Sequence, residues 1–268
     1  MAARAADDLS PLPDADLPAE VLPLVRELNL LFDRVRLAFA AQQHFVADAA
    51  HELRSPLTAL KLQAQALRRA QDDVSRDAAI ARLNDGIERA INLVGQLLVL
   101  AREESQRSAE PLQAVDLQEL SRQTVADVLP QAQARHIDLG LATTDAVSTQ
   151  GHFEPLHILL RNLLDNAVKY APEGGQVDIS LAMRNGAAVL AVEDSGPGIP
   201  DEEMGRVFDR FYRSAGTQAV GSGLGLAIVK AIAERHGASV TMSRSRRLGG
   251  LRVEVAFPSD SIATESAA

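Results

Sequence analysis

Apolar residues recur at spacings of four and three along the first part of the chain, alternating except for successive fours at residues 45–57, and this repeat constrains the fold most. A heptad repeat of this kind predicts a long amphipathic helix that packs against another helix. We expect the helix over about residues 20–70. The repeat occupies positions 24, 28, 31, 35, 38, 42, 45, 49, 53, 57, 60, 64 and 67.

A second apolar stripe predicts another helix at about residues 77–104, after a polar turn at 71–77. Two helices joined by a short turn form an antiparallel hairpin, whose apolar stripe needs a partner. A second copy of the chain would supply it in a dimeric four-helix bundle; the alternative is packing against the C-terminal domain. The stripe consists of Ile80, Leu83, Ile87, Ile91, Val94, Leu98 and Ala101.

The first helical pattern contains a polar cluster, His51-Glu52 followed by Arg54, Ser55 and Pro56. His51 and Ser55 are four residues apart, so they share one helix face, away from the apolar seam. Pro56 removes one backbone hydrogen bond inside the helix. Taken alone, such a histidine is an ordinary surface residue of a coiled coil.

The composition excludes several classes of protein. Of the 268 residues, 46% are hydrophobic and 24% charged, so broad disorder is not expected. A net charge of −9 and an aromatic content of 3% argue against a nucleic-acid partner. The absence of cysteine excludes disulfides and thiolate metal sites. No apolar run is long enough to cross a bilayer and no signal peptide opens the chain, so the sequence as written predicts a soluble chain.

The pattern changes after a polar linker at residues 105–114. Predicted strands and helices then interleave, and Arg184-Asn185-Gly186 predicts a tight turn between two strands, so the sheet is at least partly antiparallel. An α/β sandwich is therefore expected. We divide the chain into a connector at 1–40, a helical hairpin domain at 41–104, the linker, an α/β domain at 115–258 and a disordered tail at 259–268.

Four clusters in the α/β region carry groups suited to a nucleotide. The first places four polar residues on one helix face: Asn162, Asn166, Lys169 and Tyr170. Carboxamide oxygens suit Mg²⁺ and an ammonium suits phosphate, although the same pattern is typical of a polar outer face.

The second cluster, at residues 194–199, puts Asp194 at a strand end beside two glycines. Its carboxylate could accept a hydrogen bond from an adenine amino group, or the segment could be an ordinary strand-ending turn. The third, at 208–213, sets Arg210 and Arg213 among three aromatic residues. These arginines could reach a polyphosphate, or the aromatic residues could anchor a surface loop.

The fourth cluster, Gly221-Ser222-Gly223-Leu224-Gly225, leads directly into an apolar helix. Its backbone N–H groups and the helix N-terminus could bind an anion. The cluster is not a Walker loop, because no Gly-Lys-Ser/Thr closes it, and no strand immediately precedes it as in a Rossmann fold.

Taken together and in this order, the four clusters resemble the N, G1, F and G2 boxes of the GHKL ATPase superfamily. The segment HELRSPL at residues 51–57 resembles the H box of sensor histidine kinases, and residues 17–40 resemble the second helix of a HAMP signal relay. The resemblance implies a phosphoacceptor hairpin followed by a Bergerat-type ATP-binding domain. It also implies that the chain is the cytoplasmic portion of a bacterial inner-membrane protein, anchored upstream of these residues.

The resemblance assigns ATP and Mg²⁺ as cofactors and gives each matching residue a role. Asp194 would hold the adenine amino group, with Gly196 and Gly198 at the pocket floor. Asn166 would bind Mg²⁺, with Asn162 as a second candidate ligand. The other nucleotide-binding residues would be Lys169 and Tyr170, at the phosphates or ribose, and Gly221, Gly223, Leu224 and Gly225, whose glycines would hinge an ATP lid over about 213–223.

His51 would accept the phosphoryl group and pass it to an aspartate on a response regulator receiver domain. Glu52 would orient the imidazole and take up its proton. Either Arg210 or Arg213 would neutralise charge on the γ-phosphate, and the sequence does not choose between them. Ser55 stands where many members have Thr or Asn, and its hydroxyl would support phosphatase activity toward the regulator. The expected partners are this regulator and a second copy in a homodimer, with no nucleic acid.

Two other functions are compatible with parts of this pattern. A GHKL ATPase of the chaperone or DNA-topology type would use the same pocket for conformational gating, but the H box on a dimerising hairpin argues against it. A non-catalytic relay module would use nucleotide only to change the shape of a dimer, and the complete set of ATP-site residues argues against that.

Overall fold

The structure, a computed structural model, describes residues 9–13, 18, 20–105, 111–213 and 221–258. The chain divides into two compact units, residues 1–90 and 91–268, so the division lies within the second helix. The predicted tail and residues 106–110 of the predicted linker are outside the described residues. The elements are α1 Leu22–Arg69, α2 Asp73–Ser105, β1 Gln113–Asp116, α3 Leu117–Ala134, β2 Asp138–Thr144, β3 Ser148–Gly151, α4 Phe153–Tyr170, β4 Gln176–Arg184, β5 Ala187–Asp194, α5 Gly225–Arg235, β6 Ser239–Arg244 and β7 Leu251–Ala256.

Helices α1 and α2 form the predicted hairpin. The 48-residue α1 continues through Pro56, and α2 begins at Asp73, before the predicted start at 77. Asp72 explains the earlier start, because its Oδ1 accepts the N–H of Ser75 at 2.7 Å and so satisfies a free donor of the first turn. Gly86 brings the helices close together: an added Cβ there would lie 2.8 Å from Leu60 Cδ2 on α1.

The apolar stripe predicted on α2 is largely exposed in the single chain. Five of its members are between 40% and 57% exposed, whereas Leu93, Leu97 and Leu100 on another face of the same helix are buried. The stripe keeps heptad spacing, so it is suited to packing against a further helix. The five exposed members are Ile80, Ile87, Ile91, Val94 and Leu98.

The second unit contains a mixed five-stranded sheet with strand order β2-β4-β5-β7-β6. Strands β2 and β4 are parallel and the other neighbours are antiparallel, which confirms the predicted partly antiparallel sheet. Asn185 and Gly186 join β4 to β5 with φ of 52° and 81°, the two left-handed residues that a type I′ hairpin requires. Helix α4 packs between α3 and α5 and against β4 and β5.

Strand β3 was not predicted from the sequence. It reads STQG, with no apolar residue to mark it, and it pairs only with β1 in a separate two-stranded antiparallel sheet. The rest of the α/β core follows the apolar pattern, since aliphatic side chains of α3, α4, β4 and β5 are fully buried. The largest of them are Leu117, Leu120, Leu156, Leu159, Leu160, Leu164, Ile179, Leu181 and Leu190.

Among the helices in the described part of the chain, none is both long and apolar enough to span a membrane.

Candidate functional site

The two asparagines of α4 converge on the first residue of α5. The Asn162 amide nitrogen donates to the Ile158 carbonyl oxygen at 2.8 Å, so its Oδ1 remains available on the other side. An added Cβ on Gly225 would lie 3.2 Å from both Asn162 Oδ1 and Asn166 Nδ2. Both carboxamides therefore lie against the N-terminus of a helix, where backbone N–H groups favour an anion.

The end of α4 places a cation beside the glycine-rich segment. Lys169 Nζ lies 3.2 Å from the Tyr170 hydroxyl and 4.7 Å from the centre of its ring. A Cβ on Gly221 would meet Lys169 Nζ, so a larger residue there would displace the ammonium from its present position. A Cβ on Gly196 would lie 2.8 Å from the Tyr170 carbonyl oxygen, so the segment after β5 also contacts the end of α4.

Asp194 is the last residue of β5 and is only 6% exposed. Its Oδ1 accepts backbone N–H groups from Gly196 at 2.8 Å and Leu251 at 3.1 Å. Burial raises the pKa of this carboxyl, and the two N–H bonds partly oppose the increase because they stabilise the charged form. Gly198, with φ of 75°, turns the chain beside Gly250.

The aromatic cluster contacts the glycine-rich segment through the backbone. Phe211 has φ of 61°, and its N–H donates to the Gly223 carbonyl oxygen at 3.0 Å. A Cβ on Gly223 would lie 2.6 Å from the Phe211 carbonyl carbon, which excludes any other residue there. Arg210 is half-buried and Arg213 exposed. Residues 214–220 of the predicted lid are outside the described residues.

Two further contacts fix the glycine-rich segment. Ser222 Oγ donates to Gln96 Oε1 of α2 at 2.6 Å and accepts the Leu224 N–H at 3.2 Å. The Leu224 side chain is fully buried, so this residue can meet a ligand only through its backbone. The clusters predicted from sequence thus form one connected set of contacts around α4, β5 and the start of α5.

His51 lies on α1, in the compact unit of residues 1–90, and its side chain is exposed. Ser55, one turn further along, is also exposed, and Glu52 is half-buried. One turn beyond Arg54, the Thr58 hydroxyl donates to the Arg54 carbonyl oxygen at 2.8 Å, close to Pro56. Because it is exposed on a helix, the His51 imidazole can act as a nucleophile toward an electrophile that approaches it from outside.

Sequence reasoning missed the residues that hold these groups in place. The Gly250 N–H donates to the backbone oxygen of Asp194, and the Leu251 N–H donates to its Oδ1. Every residue except proline has a backbone N–H, so these donors cannot be recognised from residue type. Arg135 donates from its guanidinium to the carbonyl oxygens of Val168, of Lys169 at 2.7 Å and of Ala171 at 2.9 Å. It therefore satisfies the last carbonyls of α4, and no nearby motif indicates this role.

The residues fit a Mg²⁺–nucleotide complex. Gly221, Gly225 and Gly250 let Lys169, the two asparagines and Asp194 approach the backbone closely. The site thus combines an ammonium for phosphate, carboxamide oxygens for Mg²⁺ and a buried carboxylate for the base. Within the residues that the structure describes, no group of three or more His, Cys, Asp or Glu side chains could hold a metal ion. The carboxamide oxygens of Asn162 and Asn166 are of a type that binds Mg²⁺, and these two residues are the candidate metal ligands.

Three family models match the chain. The model described as "Histidine kinase-, DNA gyrase B-, and HSP90-like ATPase" matches residues 151–261, and the "His Kinase A (phospho-acceptor) domain" matches residues 41–106. A "Sensor protein PhoQ-like, HAMP domain" matches residues 1–37. A phosphoacceptor hairpin followed by this ATPase domain defines the class, and the chain belongs to the sensor histidine kinases. The resemblance identified from the sequence is confirmed.

Particular relatives agree with this class. The chain is 42% identical over 257 residues to the sensor protein QseC of Escherichia coli strain K12, and 38% identical over 256 residues to the sensor protein kinase PmrB of Pseudomonas aeruginosa. Each alignment covers 95% of this chain but only 56% and 54% of the two relatives, so the chain spans about half of their length. The structure of the Acinetobacter baumannii histidine kinase AdeS has a TM-score of 0.63 and 23% identity, over 78% of this chain and 98% of that one, and supports the fold.

Proposed function

We propose that this chain is the kinase portion of a sensor protein, which phosphorylates His51 from ATP and passes the phosphoryl group to an aspartate of a response regulator. The observation that carries the proposal is an exposed histidine within a phosphoacceptor-domain match, in a chain whose other unit gathers four nucleotide-binding motifs around one helix. Neither feature alone would specify a kinase, since the ATPase superfamily includes other activities.

In this proposal the nucleotide lies along α4, with adenine at Asp194 and the phosphates toward the start of α5. Asn166, with Asn162 beside it, would hold Mg²⁺ through carboxamide oxygens. When bound, Mg²⁺ would neutralise charge on the phosphates, which phosphoryl transfer requires. Lys169 has the charge to bind a phosphate and Tyr170 lies beside it, and a lid over about 213–223 would carry Arg213 at its edge. Arg210 and Arg213 both remain candidates for the γ-phosphate.

The proposed reaction needs little covalent chemistry from the protein. A ring nitrogen of His51 attacks the γ-phosphorus, the bond from that phosphorus to the bridging oxygen breaks, and ADP leaves. The proton on the other ring nitrogen passes to Glu52, the adjacent carboxylate. The product is a phosphohistidine, whose P–N bond is labile enough for onward transfer to a carboxylate.

The proposal extends to the partners and the parent protein. The exposed heptad stripe on α2 would pack against a second copy, giving a homodimeric bundle. Ser55 would orient a water for dephosphorylating the regulator, so the chain would act as a phosphatase as well as a kinase. The HAMP match at residues 1–37 supports a parent protein anchored in the membrane, with this chain as its cytoplasmic portion.

Labelling with γ-³²P ATP and Mg²⁺ tests the central step. We expect acid-labile, alkali-stable label on the wild-type chain and none on the His51→Gln variant. His44→Gln provides a matched control, because His44 is another exposed histidine of α1. Label that persists in His51→Gln, or disappears in His44→Gln, would contradict the assignment.

Nucleotide binding tests the other half of the proposal. Asn166→Ala should lose labelling, and its Mg²⁺-dependent affinity for ATP should fall by more than about tenfold. The substitution removes a ligand of the Mg²⁺ ion that would neutralise the phosphate charge. Asn84→Ala, the same change at an exposed position of α2, should leave both unchanged. Wild-type affinity and rate in Asn166→Ala would refute the proposed role of Asn166.

A further inference from the structure

A buried serine closes the turn that leads from β6 to β7. Ser245 is 2% exposed and directly follows β6. Its N–H donates to the Gly250 carbonyl oxygen at 2.8 Å, and its Oγ accepts the Leu248 N–H at 2.9 Å. The backbone and the hydroxyl of Ser245 therefore both hold the turn at residues 245–250.

The same hydroxyl links this turn to β5. Ser245 Oγ donates to Glu193 Oε2 at 2.8 Å. Glu193 is 7% exposed and forms an ion pair with Arg252, with Arg247 at 3.8 Å. A carboxylate held in this way by charged and hydrogen-bonding partners is a rigid anchor, because few other positions would satisfy it once it is buried.

The far end of the turn reaches the candidate adenine-binding residue. The Gly250 N–H donates to the Asp194 backbone oxygen at 3.1 Å, and the Leu251 N–H donates to Asp194 Oδ1. With the Gly196 N–H, Oδ1 has two donors, and Oδ2 is the oxygen that these bonds do not use. Glu193 and Asp194 are consecutive on β5 and point to opposite faces, so the turn connects the two faces of the strand.

We propose that Ser245 and Glu193 are positioning residues that fix the carboxylate orientation of Asp194 and thereby set the preference for adenine over guanine nucleotides. This inference rests on the proposed ATP site and adds to it the residues that determine base selectivity. Neither residue needs to touch the nucleotide, since each acts through the turn.

The selectivity follows from the chemistry of the two bases. Adenine carries an amino group that can donate to a carboxylate oxygen. Guanine carries a carbonyl oxygen at the same position, which would face the carboxylate with no proton between them. A site that positions an acceptor in this way rejects a ligand lacking the donor, because the buried acceptor is left unpaired. A carboxylate free to rotate can avoid the carbonyl or admit water, so discrimination falls.

The test compares the affinities of the full chain for ATP and GTP, with Mg²⁺, by calorimetry. Ser245→Ala should lower the ATP-to-GTP affinity ratio by about fivefold to tenfold, the equivalent of one ordinary hydrogen bond, mainly through weaker ATP binding. Ser245→Thr keeps the hydroxyl and should retain most of the ratio. Ser243→Ala removes an exposed hydroxyl from β6 and should leave the ratio unchanged.

The ratio is insensitive to the fraction of chain that is folded, so a general loss of stability does not imitate the effect. If Ser245→Ala does not fold, Glu193→Gln provides a second variant, because it keeps an oxygen for Ser245 but loses the charge that pairs with Arg252; a twofold to fivefold fall is expected. An unchanged ratio in whichever variant folds would overturn the inference while leaving the kinase proposal intact. A wild-type chain that binds no ATP would instead overturn the proposed site itself, and this inference with it.

Discussion

Two helices of this protein use their apolar residues in opposite ways. Helix α1 has 48 residues and buries one of them, Val25, whereas the 18-residue α4 buries seven. The exposed large apolar residues of the chain lie mainly on α1 and α2, while the sheet and α3–α5 enclose a complete core. The ATP-site unit can therefore be stable as one chain, whereas the hairpin leaves apolar surface that a further helix would need to cover.

This difference suits two separate tasks. A nucleotide site requires fixed groups, and the residues around Asp194 and Asn166 are attached to a packed core. A phosphoacceptor must be reached by a catalytic site and then by a regulator, and an exposed position on a helix allows both. We therefore expect substitutions in the two regions to have effects on stability that differ in magnitude and in their dependence on protein concentration.

The largest expected effect is in the α/β core. Leu164 of α4 is fully buried, so Leu164→Ala should lower the free energy of unfolding by about 2–5 kcal/mol. Chemical denaturation of the wild type and the variant gives the difference. Because the core is completed within one chain, this difference should be the same at low and high protein concentration. A marked concentration dependence would show that the α/β core also depends on association.

A smaller effect is expected on the exposed stripe of α2. Ile87→Ala removes apolar surface that is 40% exposed in one chain but would be covered in a dimer. We expect a loss of about 1 kcal/mol per protomer, or about 2 kcal/mol per dimer, and therefore a dimer dissociation constant raised by about thirtyfold, measured by analytical ultracentrifugation.

Val74→Ala is the matched control for the stripe. Val74 is 81% exposed near the start of α2 and lies outside the heptad positions, so its truncation should not change dimer affinity. Equal effects of the two substitutions would show that the stripe has no special role in association.

The smallest effect concerns pH and the α/β unit. Burial lowers the pKa of His236, although its Nδ1 donates to the Ile232 carbonyl oxygen at 2.8 Å, which favours the charged form. Its Nε2 accepts the His152 N–H at 3.1 Å, at the start of α4. Since the folded pKa lies below the unfolded value of 6.5, this contribution to stability is complete above about pH 6.5 and is lost as the pH falls through the folded pKa.

Thermal melting between about pH 7 and pH 5 measures this contribution. His236→Gln should melt with a weaker pH dependence than the wild type, whereas His44→Gln, at an exposed position, should keep the wild-type dependence. Identical pH profiles for the wild type and His236→Gln would exclude the assignment to this histidine.

Elements with periodic apolar residues could be predicted from the sequence. A strand of polar residues and contacts made by backbone groups could not. Helices α1, α4 and α5 and strands β4 and β5 were predicted because their buried side chains repeat at helical or strand spacing. Strand β3 has no such pattern, and the start of α2 depends on the Asp72 cap, which lies before the apolar repeat begins.

The same distinction applies to the site. Asn162, Asn166, Lys169 and Asp194 could be selected because their side chains carry the chemistry. The groups that orient them are the N–H groups of Gly250 and Leu251 and the guanidinium of Arg135, which is distant in sequence. Backbone donors and long-range caps depend on the folded path of the chain, so no local motif could have revealed them.

The contact between Glu103 and Arg235 has a consequence for how the protein can be cut or recombined. Glu103 Oε2 lies 2.9 Å from an Arg235 nitrogen, both side chains are largely buried, and Gln96 binds Ser222 two turns earlier on α2. A junction placed after residue 105 would leave Arg235 without its carboxylate, and an unpaired buried charge costs several kcal/mol. Chimeras with another sensor should therefore exchange segments before residue 91, so that the last turns of α2 remain with the domain they stabilise.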